Sequence, residues 1–208
     1  MSVALTRLLL IRHGQTDWNN SRVFQGHQDT ELSELGVSQA ECLAERLAGE
    51  KIDAAYASDL KRAYRTAIIG LKHHQIKVVP EPRLREMSFG AFEGLTAAEI
   101  AARYPEDWKR WNDDWVNVPP LGSNDTLKHL SDRVGQFFDE IKQVHSNETV
   151  LLVAHSGTLR ALLCLTLHID LNFFWQQRLD NTSITIIDTY GDRNIVSLLN
   201  DTCHLRNL

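Results

Sequence analysis

Residues 8–14 read Leu8-Leu9-Leu10-Ile11-Arg12-His13-Gly14, and residues 150–157 read Val150-Leu151-Leu152-Val153-Ala154-His155-Ser156-Gly157. Each is an apolar run short enough for a buried strand, and each ends in a histidine followed closely by glycine. Open sheets with helices on both faces bind ligands beyond the carboxyl ends of their strands. Two strands of this kind therefore predict two histidines converging on one pocket, and together they suggest more than either does alone.

Working outward, further apolar runs fall at 54–57, 76–79, 183–188 and 195–199. Helical patterns separate the first four strands. Ser33 is a candidate N-cap for a helix to about Gly49, with Val37, Ala40, Leu43 and Leu47 on one face. Ser58 or Asp59 is the candidate cap of a second helix carrying Arg62, Arg65 and Ile69. Leu127–Val144 and Gly157–Leu167 are the third and fourth, the last nearly apolar and so expected to be buried. Strands alternating with helices predict parallel βαβ units. Tyr190-Gly191-Asp192-Arg193 reads as a hairpin, which makes one strand antiparallel. The expectation is an α/β three-layer αβα sandwich with a mostly parallel six-stranded sheet. Residues 1–208 read as a single domain, with an excursion at about 95–126 where prolines break the chain and Trp108, Trp111 and Trp115 recur at helical spacing. The tryptophans read as packing residues or as part of a cap over the pocket.

Composition narrows the function. The 208 residues carry a net charge of −5, so no global basic field attracts nucleic acid, and any anion site must be a local cluster. No apolar stretch is long enough to span a bilayer, and the N-terminus does not read as a secretory leader. The three cysteines are far apart with no CxxC pair, which predicts a reducing, cytoplasmic setting.

The local chemistry points to phosphate. A neutral imidazole attacks phosphorus when one ring nitrogen is free and the other is held, which suits His13, and Arg12 beside it offers a planar fork for phosphate oxygens. Taken alone, Arg-His-Gly is equally well a core histidine beside a surface arginine. Arg62 falls in the first turn of its helix, where a cation opposes the helix dipole, so an anion partner is its economical use. His155 precedes a helix start whose amides would face an anion. Glu86, near Arg83 and Arg85, is one of several carboxyls that could supply a proton to a leaving group. The remaining histidines show no metal-ligand spacing and read as surface or helix-end residues, with His27 and His204 left open.

At this point the chain resembles the histidine phosphatase superfamily, the phosphoglycerate-mutase-like family. The matching pieces are residues 10–19, Gln25-Gly26, residues 32–36, 58–63, 84–86, 89–94 and 153–157, Asn181, and the tail 199–205. They cover nearly the whole chain in the family's order. The resemblance implies that His13 takes the phosphoryl group as phosphohistidine. Arg12, Arg62 and His155 would bind its oxygens, and Glu86 would protonate the leaving oxygen. Asn19, Gln25, Gly26 and Ser156 would line the phosphate side.

No metal and no organic cofactor is required by that scheme. The implied partner is a small phosphorylated metabolite, with no nucleic acid and no membrane, and a homodimer is allowed. Two departures bear on substrate contacts: His155-Ser156-Gly157 where the family often has His-Gly-Gly, and Asn124-Asp125-Thr126 where many members have Gly-Glu-Ser.

Compact length and Phe92-Glu93-Gly94 favour a phosphatase over a mutase. Cap and tail look similar to the metal-independent phosphoserine phosphatases, but those carry a His where this chain has Phe89. The α-ribazole phosphatases are equally close. A phosphoglycerate mutase, or a phosphatase with weak mutase activity, is a further reading. A non-catalytic binding module on the same fold is the rival from a different class.

Overall fold

A computed structural model describes residues 5–208. The first strand, β1 (Leu5–Arg12), is followed by a one-turn helix α1 (Asp17–Asn20) and by α2 (Glu34–Leu47). Then come β2 (Ala54–Ala57), α3 (Lys61–Gly70) and β3 (Val78–Pro80). The excursion holds α4 (Ala97–Arg103) and α5 (Pro105–Asp113), and the chain returns through α6 (Leu127–Val144). The last elements are β4 (Thr149–Ala154), α7 (Ser156–Leu167), β5 (Ile184–Tyr190) and β6 (Arg193–Asp201).

The sheet order is β3-β2-β4-β1-β5-β6. β3, β2, β4 and β1 are parallel, and β5 runs antiparallel to both of its neighbours, as the hairpin signal predicts. The side chains of β1 alternate between two cores. Leu8 and Leu10 pack with Val134, Phe137 and Leu162 from α6 and α7, while Leu9 and Ile11 pack with Leu43, Leu47 and Ala67 from α2 and α3. Both faces are covered, which is why β1 reads as an unbroken apolar run rather than an alternating one. Each such buried Leu or Ile contributes roughly 1.5–3 kcal/mol by leaving water.

This layering positions the site. β1 leads to α2 on one face, and its neighbour β4 leads to α7 on the other. Where adjacent parallel strands send their helices to opposite faces, a crevice opens at their carboxyl ends. The register pairs Arg12 with Ala154, so His13 and His155 leave the sheet side by side. The His13 amide donates to the Ala154 carbonyl at 2.9 Å and extends the ladder by one residue.

The structure corrects some local expectations. Neither Ser58 nor Asp59 caps α3: its N-cap is Leu60, with no side-chain cap bond. Both side chains are engaged elsewhere, Ser58 with His155 and Asp59 with Arg85, and the Lys61 amide donates instead to Asp29 from a distant loop. The strand expected at 76–79 is the short edge strand Val78–Pro80, where a proline is tolerated because the edge needs no donor there. Ser33 does cap α2, accepting from the Gly36 amide. Among the described residues, no helix is long and apolar enough to cross a membrane.

Candidate active site

The crevice at the ends of β1 and β4 is a cavity of about 230 Å³. Arg12, His13, Arg62, Glu86 and His155 all line it, as do Asn19, Gln25, Gly26 and Ser156. The nine residues singled out in the sequence therefore meet in one place.

His13 is 3% exposed. Its Nδ1 lies 2.7 Å from the Gly14 carbonyl, which can only accept, so Nδ1 carries the proton and Nε2 keeps its lone pair. Burial, then the charges of Arg62 and Arg12, hold its pKa well below the ordinary histidine value. The ring is thus neutral and its tautomer is set by the backbone. Gly14 must be glycine because a Cβ there would stand 2.6 Å from the Gly36 carbonyl oxygen, at the close approach of the loop to α2. The Gly14 amide donates to Thr66 on α3, fixing the loop from the other side.

Arg62 is 1% exposed. Its guanidinium donates to the Gln28 and Gly26 carbonyls at 2.6 and 2.8 Å, and its Nε to Nδ1 of His155 at 3.2 Å. Because that nitrogen accepts, the His155 proton sits on Nε2 and is donated to the Ser58 hydroxyl at 2.9 Å. Burial and then the Arg62 charge keep His155 neutral as well. The two imidazoles stand 5.1 Å apart. Arg12 donates to the Leu179 carbonyl at 2.7 Å, and its buried Nε has no partner. Burial lowers both Arg12 and Arg62 to about 10, which still leaves them charged at neutral pH.

Glu86 lies across from these cations. Its Oε2 accepts from the Gly157 amide at the start of α7, 2.9 Å away, and its Oε1 from the Met87 amide at 3.0 Å. The anion expected at that helix start is therefore supplied by the protein itself. Arg133 on α6 holds the backbone beneath it, donating to the Arg85 and Glu86 carbonyls. His27, left open by the sequence, is placed 2.8 Å from the Glu86 carbonyl.

Asn19 forms a capping box with Thr16 that occupies its side-chain oxygen. That leaves the amide nitrogen of Asn19 for the cavity. The Gln25 oxygen accepts from Thr30 at 2.8 Å. Asn181 donates to the His13 carbonyl at 2.8 Å. Asp125 and Thr126, at the departure from Gly-Glu-Ser, respectively accept from the Ser88 amide and cap α6.

The sequence reading missed several residues of the wall and one contact outside it. Arg160 on α7 lines the cavity; its signal was available, as the lone charge in the nearly apolar Ser156–Leu167. Phe174 and Trp175, from a short 3-10 helix at Leu171–Gln176, also line it, and no spacing pattern marks them. Ser58 was assigned to a cap rather than to His155. Two of the excursion's tryptophans reach the cavity. Trp111 is buried in the core and packs at a tilt against Trp108, with ring centroids 5.4 Å apart, while Trp111 and Trp115 also line the cavity. Among the described residues, no group of three or more His, Cys, Asp or Glu is placed to hold a metal ion. His204 is partly buried with both ring nitrogens unpartnered, outside the cavity wall.

Comparison with known proteins agrees with this geometry. The family model for the histidine phosphatase superfamily (branch 1) matches residues 8–202. The chain is 37% identical over 201 residues to phosphoserine phosphatase 1 of Hydrogenobacter thermophilus, covering 97% of this chain and 95% of that protein. It is 31% identical over 207 residues to a metal-independent phosphoserine phosphatase of Arabidopsis thaliana, covering 98% and 85%. The crystal structure of the α-ribazole phosphatase from Shigella flexneri superposes with a TM-score of 0.87 at 30% identity, over 94% of this chain and 96% of that one. A buried, neutral histidine at the end of β1, two arginines beside it and a match over nearly the whole length lead to one conclusion: the chain belongs to the histidine phosphatase superfamily.

Proposed function

We propose that this protein is a phosphomonoesterase that hydrolyses a small phosphorylated metabolite through a phosphohistidine on His13. The observation that carries the proposal is the tautomer of His13. Nδ1–H donates to the Gly14 carbonyl, so the Nε2 lone pair is available at neutral pH beside the charged Arg12 and Arg62.

In the first step Nε2 forms a bond to phosphorus as the bond from phosphorus to the ester oxygen breaks. Arg12 and Arg62 take the charge of the phosphoryl oxygens. Glu86 enters this step as the carboxylic acid and gives its proton to the departing alkoxide. In the second step the Glu86 carboxylate accepts a proton from water, whose oxygen attacks phosphorus. The bond to Nε2 breaks, and inorganic phosphate leaves with the site restored. His155 assists once its ring shifts so that Nε2–H leaves Ser58 for a phosphoryl oxygen. Asn19, Gln25, Gly26 and Ser156 surround the phosphate.

The leaving group faces an aromatic wall. Phe89 packs edge-on against Phe24 at 4.9 Å and Trp111 at 6.1 Å. An apolar ring stands where the phosphoserine phosphatases carry a histidine, which favours a substrate other than phosphoserine. The free cysteines, Cys42, Cys164 and Cys203, fit a cytoplasmic workplace.

Hydrolysis of p-nitrophenyl phosphate by the wild type, lost in His13→Asn, tests the reaction. A screen of phosphorylated metabolites ranked by kcat/KM tests the substrate. No hydrolysis of any ester would leave the non-catalytic binding module as the reading.

A further inference from the structure

The mechanism above leaves two charged cavity residues unused, Arg22, which is exposed to solvent, and Arg160, which is half-buried on α7. The Nε of Arg160 is buried without a hydrogen-bond partner. Its contacts are with ring faces instead: the guanidinium carbon lies 5.6 Å from the centre of Phe174 and 5.4 Å from Trp175. A cation held over ring faces in this way gives no N–H to an acceptor there, which keeps its donors for a planar, two-oxygen acceptor.

The cavity offers no such acceptor of its own. Glu86 is the one carboxylate on the wall, and each of its oxygens already accepts a backbone N–H. Burial lowers the pKa of Arg160 against the opposing pull of Glu86, so the charge is partly desolvated without being paired. Two further donors share the wall, Nε1 of Trp111 and of Trp115, both buried without partners. Buried donors left unpaired are costly, and a ligand that brings acceptors removes the cost.

Charge points the same way. Of the cavity's arginines, Arg22 is exposed to solvent while Arg12, Arg62 and Arg160 are drawn into the wall; both histidines are neutral and Glu86 enters the reaction as the carboxylic acid, so three positive charges face the substrate. A phosphate monoester dianion meets two of them. One more negative charge remains to be supplied by the rest of the substrate.

We infer that Arg160 is a specificity-determining residue that receives a carboxylate on the alcohol half of the substrate, whose apolar body lies against Phe174, Trp175 and Trp115. The substrate class is thus a phosphate monoester of a hydroxy acid with an apolar or aromatic body. This rests on the phosphatase reading above and deepens it.

The test compares 3- and 4-carboxyphenyl phosphate with their neutral carbamoyl analogues, which have similar leaving groups. Wild type is expected to prefer a carboxylated ester by about tenfold to a hundredfold in kcat/KM, the range for one charge-assisted hydrogen-bonded pair. Arg160→Met is expected to remove that preference. Arg160→Lys, which keeps the charge but loses the fork, is expected to retain a smaller one and guards against misfolding of the methionine variant. Equal kcat/KM for acid and amide in the wild type, or a preference that survives Arg160→Met, would overturn the inference while leaving the phosphatase intact. Hydrolysis of none of the esters would overturn the phosphatase reading and this inference with it.

Discussion

The Glu86 carboxylate rests on the backbone amide of Gly157, 2.9 Å away, and it can do so because Gly157 has no side chain. A Cβ at residue 157 would stand 2.2 Å from Glu86 Oε1. The first turn of α7 thus holds the proposed proton donor by a dipole and an N–H while leaving it room. The same strand-to-helix junction carries His155, two residues earlier.

Gly157→Ala should therefore displace the carboxylate rather than unfold the protein. The clash is with the end of a flexible side chain, and alanine favours a helix over glycine by roughly 0.5–1 kcal/mol. The expected result is a thermal midpoint that holds or rises, with kcat for alkyl phosphates down at least about tenfold. Unchanged kcat would mean that the position of Glu86 does not matter to the chemistry.

Glu86→Gln should separate leaving groups. Alkyl phosphates need a proton at the departing oxygen, and their kcat is expected to fall by about 10²–10⁴-fold. Aryl phosphates with good leaving groups should lose far less. An equal loss on both would remove Glu86 from the acid role, and a loss of stability alone would make it structural.

Rapid quenching with labelled substrate should trap an acid-labile, base-stable phosphoryl group on the peptide that contains Arg12–Asn19. The free Nε2 of His13 is the reason, since both ring nitrogens of His155 are engaged with Arg62 and Ser58. Label on His155 would reverse the two roles.

Stability should fall in mild acid. Burial, then Arg62, holds both imidazoles neutral in the folded state, with pKa values well below normal. In the unfolded chain they bind protons near pH ~6.5. Below that pH the unfolded state binds more protons than the folded one, so their contribution is intact above it and declines as pH falls, by at most about 1.4 kcal/mol per pH unit for each ring. Urea unfolding from about pH 7.5 to about pH 5 should show this slope, and His13→Asn should reduce it by roughly a third to a half, with the partly buried His204 contributing in the same direction. An acid limb that begins only near pH ~4, where carboxylates titrate, would contradict neutral rings.

Release of inorganic phosphate should dominate over phosphoryl return, and it should persist in excess chelator, because His13, Arg12 and Arg62 already supply the nucleophile and the countercharge. The comparison is phosphate release against interconversion of 2- and 3-phosphoglycerate with bisphosphoglycerate as primer. Interconversion at tens of turnovers per second, an ordinary enzymatic rate, with little phosphate release would make this a mutase. Loss of turnover on chelation, restored by magnesium, would require a metal in the scheme.

The sequence by itself determined the sheet and the centre of the site. Hydrophobic runs ending in Arg12-His13 and Ala154-His155 are local signals, and strand register converts them into neighbours without further information. The same holds for Ser33 as a cap and for the α6 boundaries, because capping and helical periodicity act within a turn or two.

Tertiary structure decided what each side chain is for. Ser58 and Asp59 look like caps in sequence, yet partners at residues 155 and 85 claim them, and Asp29 accepts the Lys61 amide from another loop. Which nitrogen of each histidine carries the proton depends on a carbonyl and a guanidinium brought in by the fold. Arg160, Phe174 and Trp175 form a wall only when α7 and the stretch after it pack beside the excursion, and no spacing rule encodes a contact between segments whose separation the folded core sets.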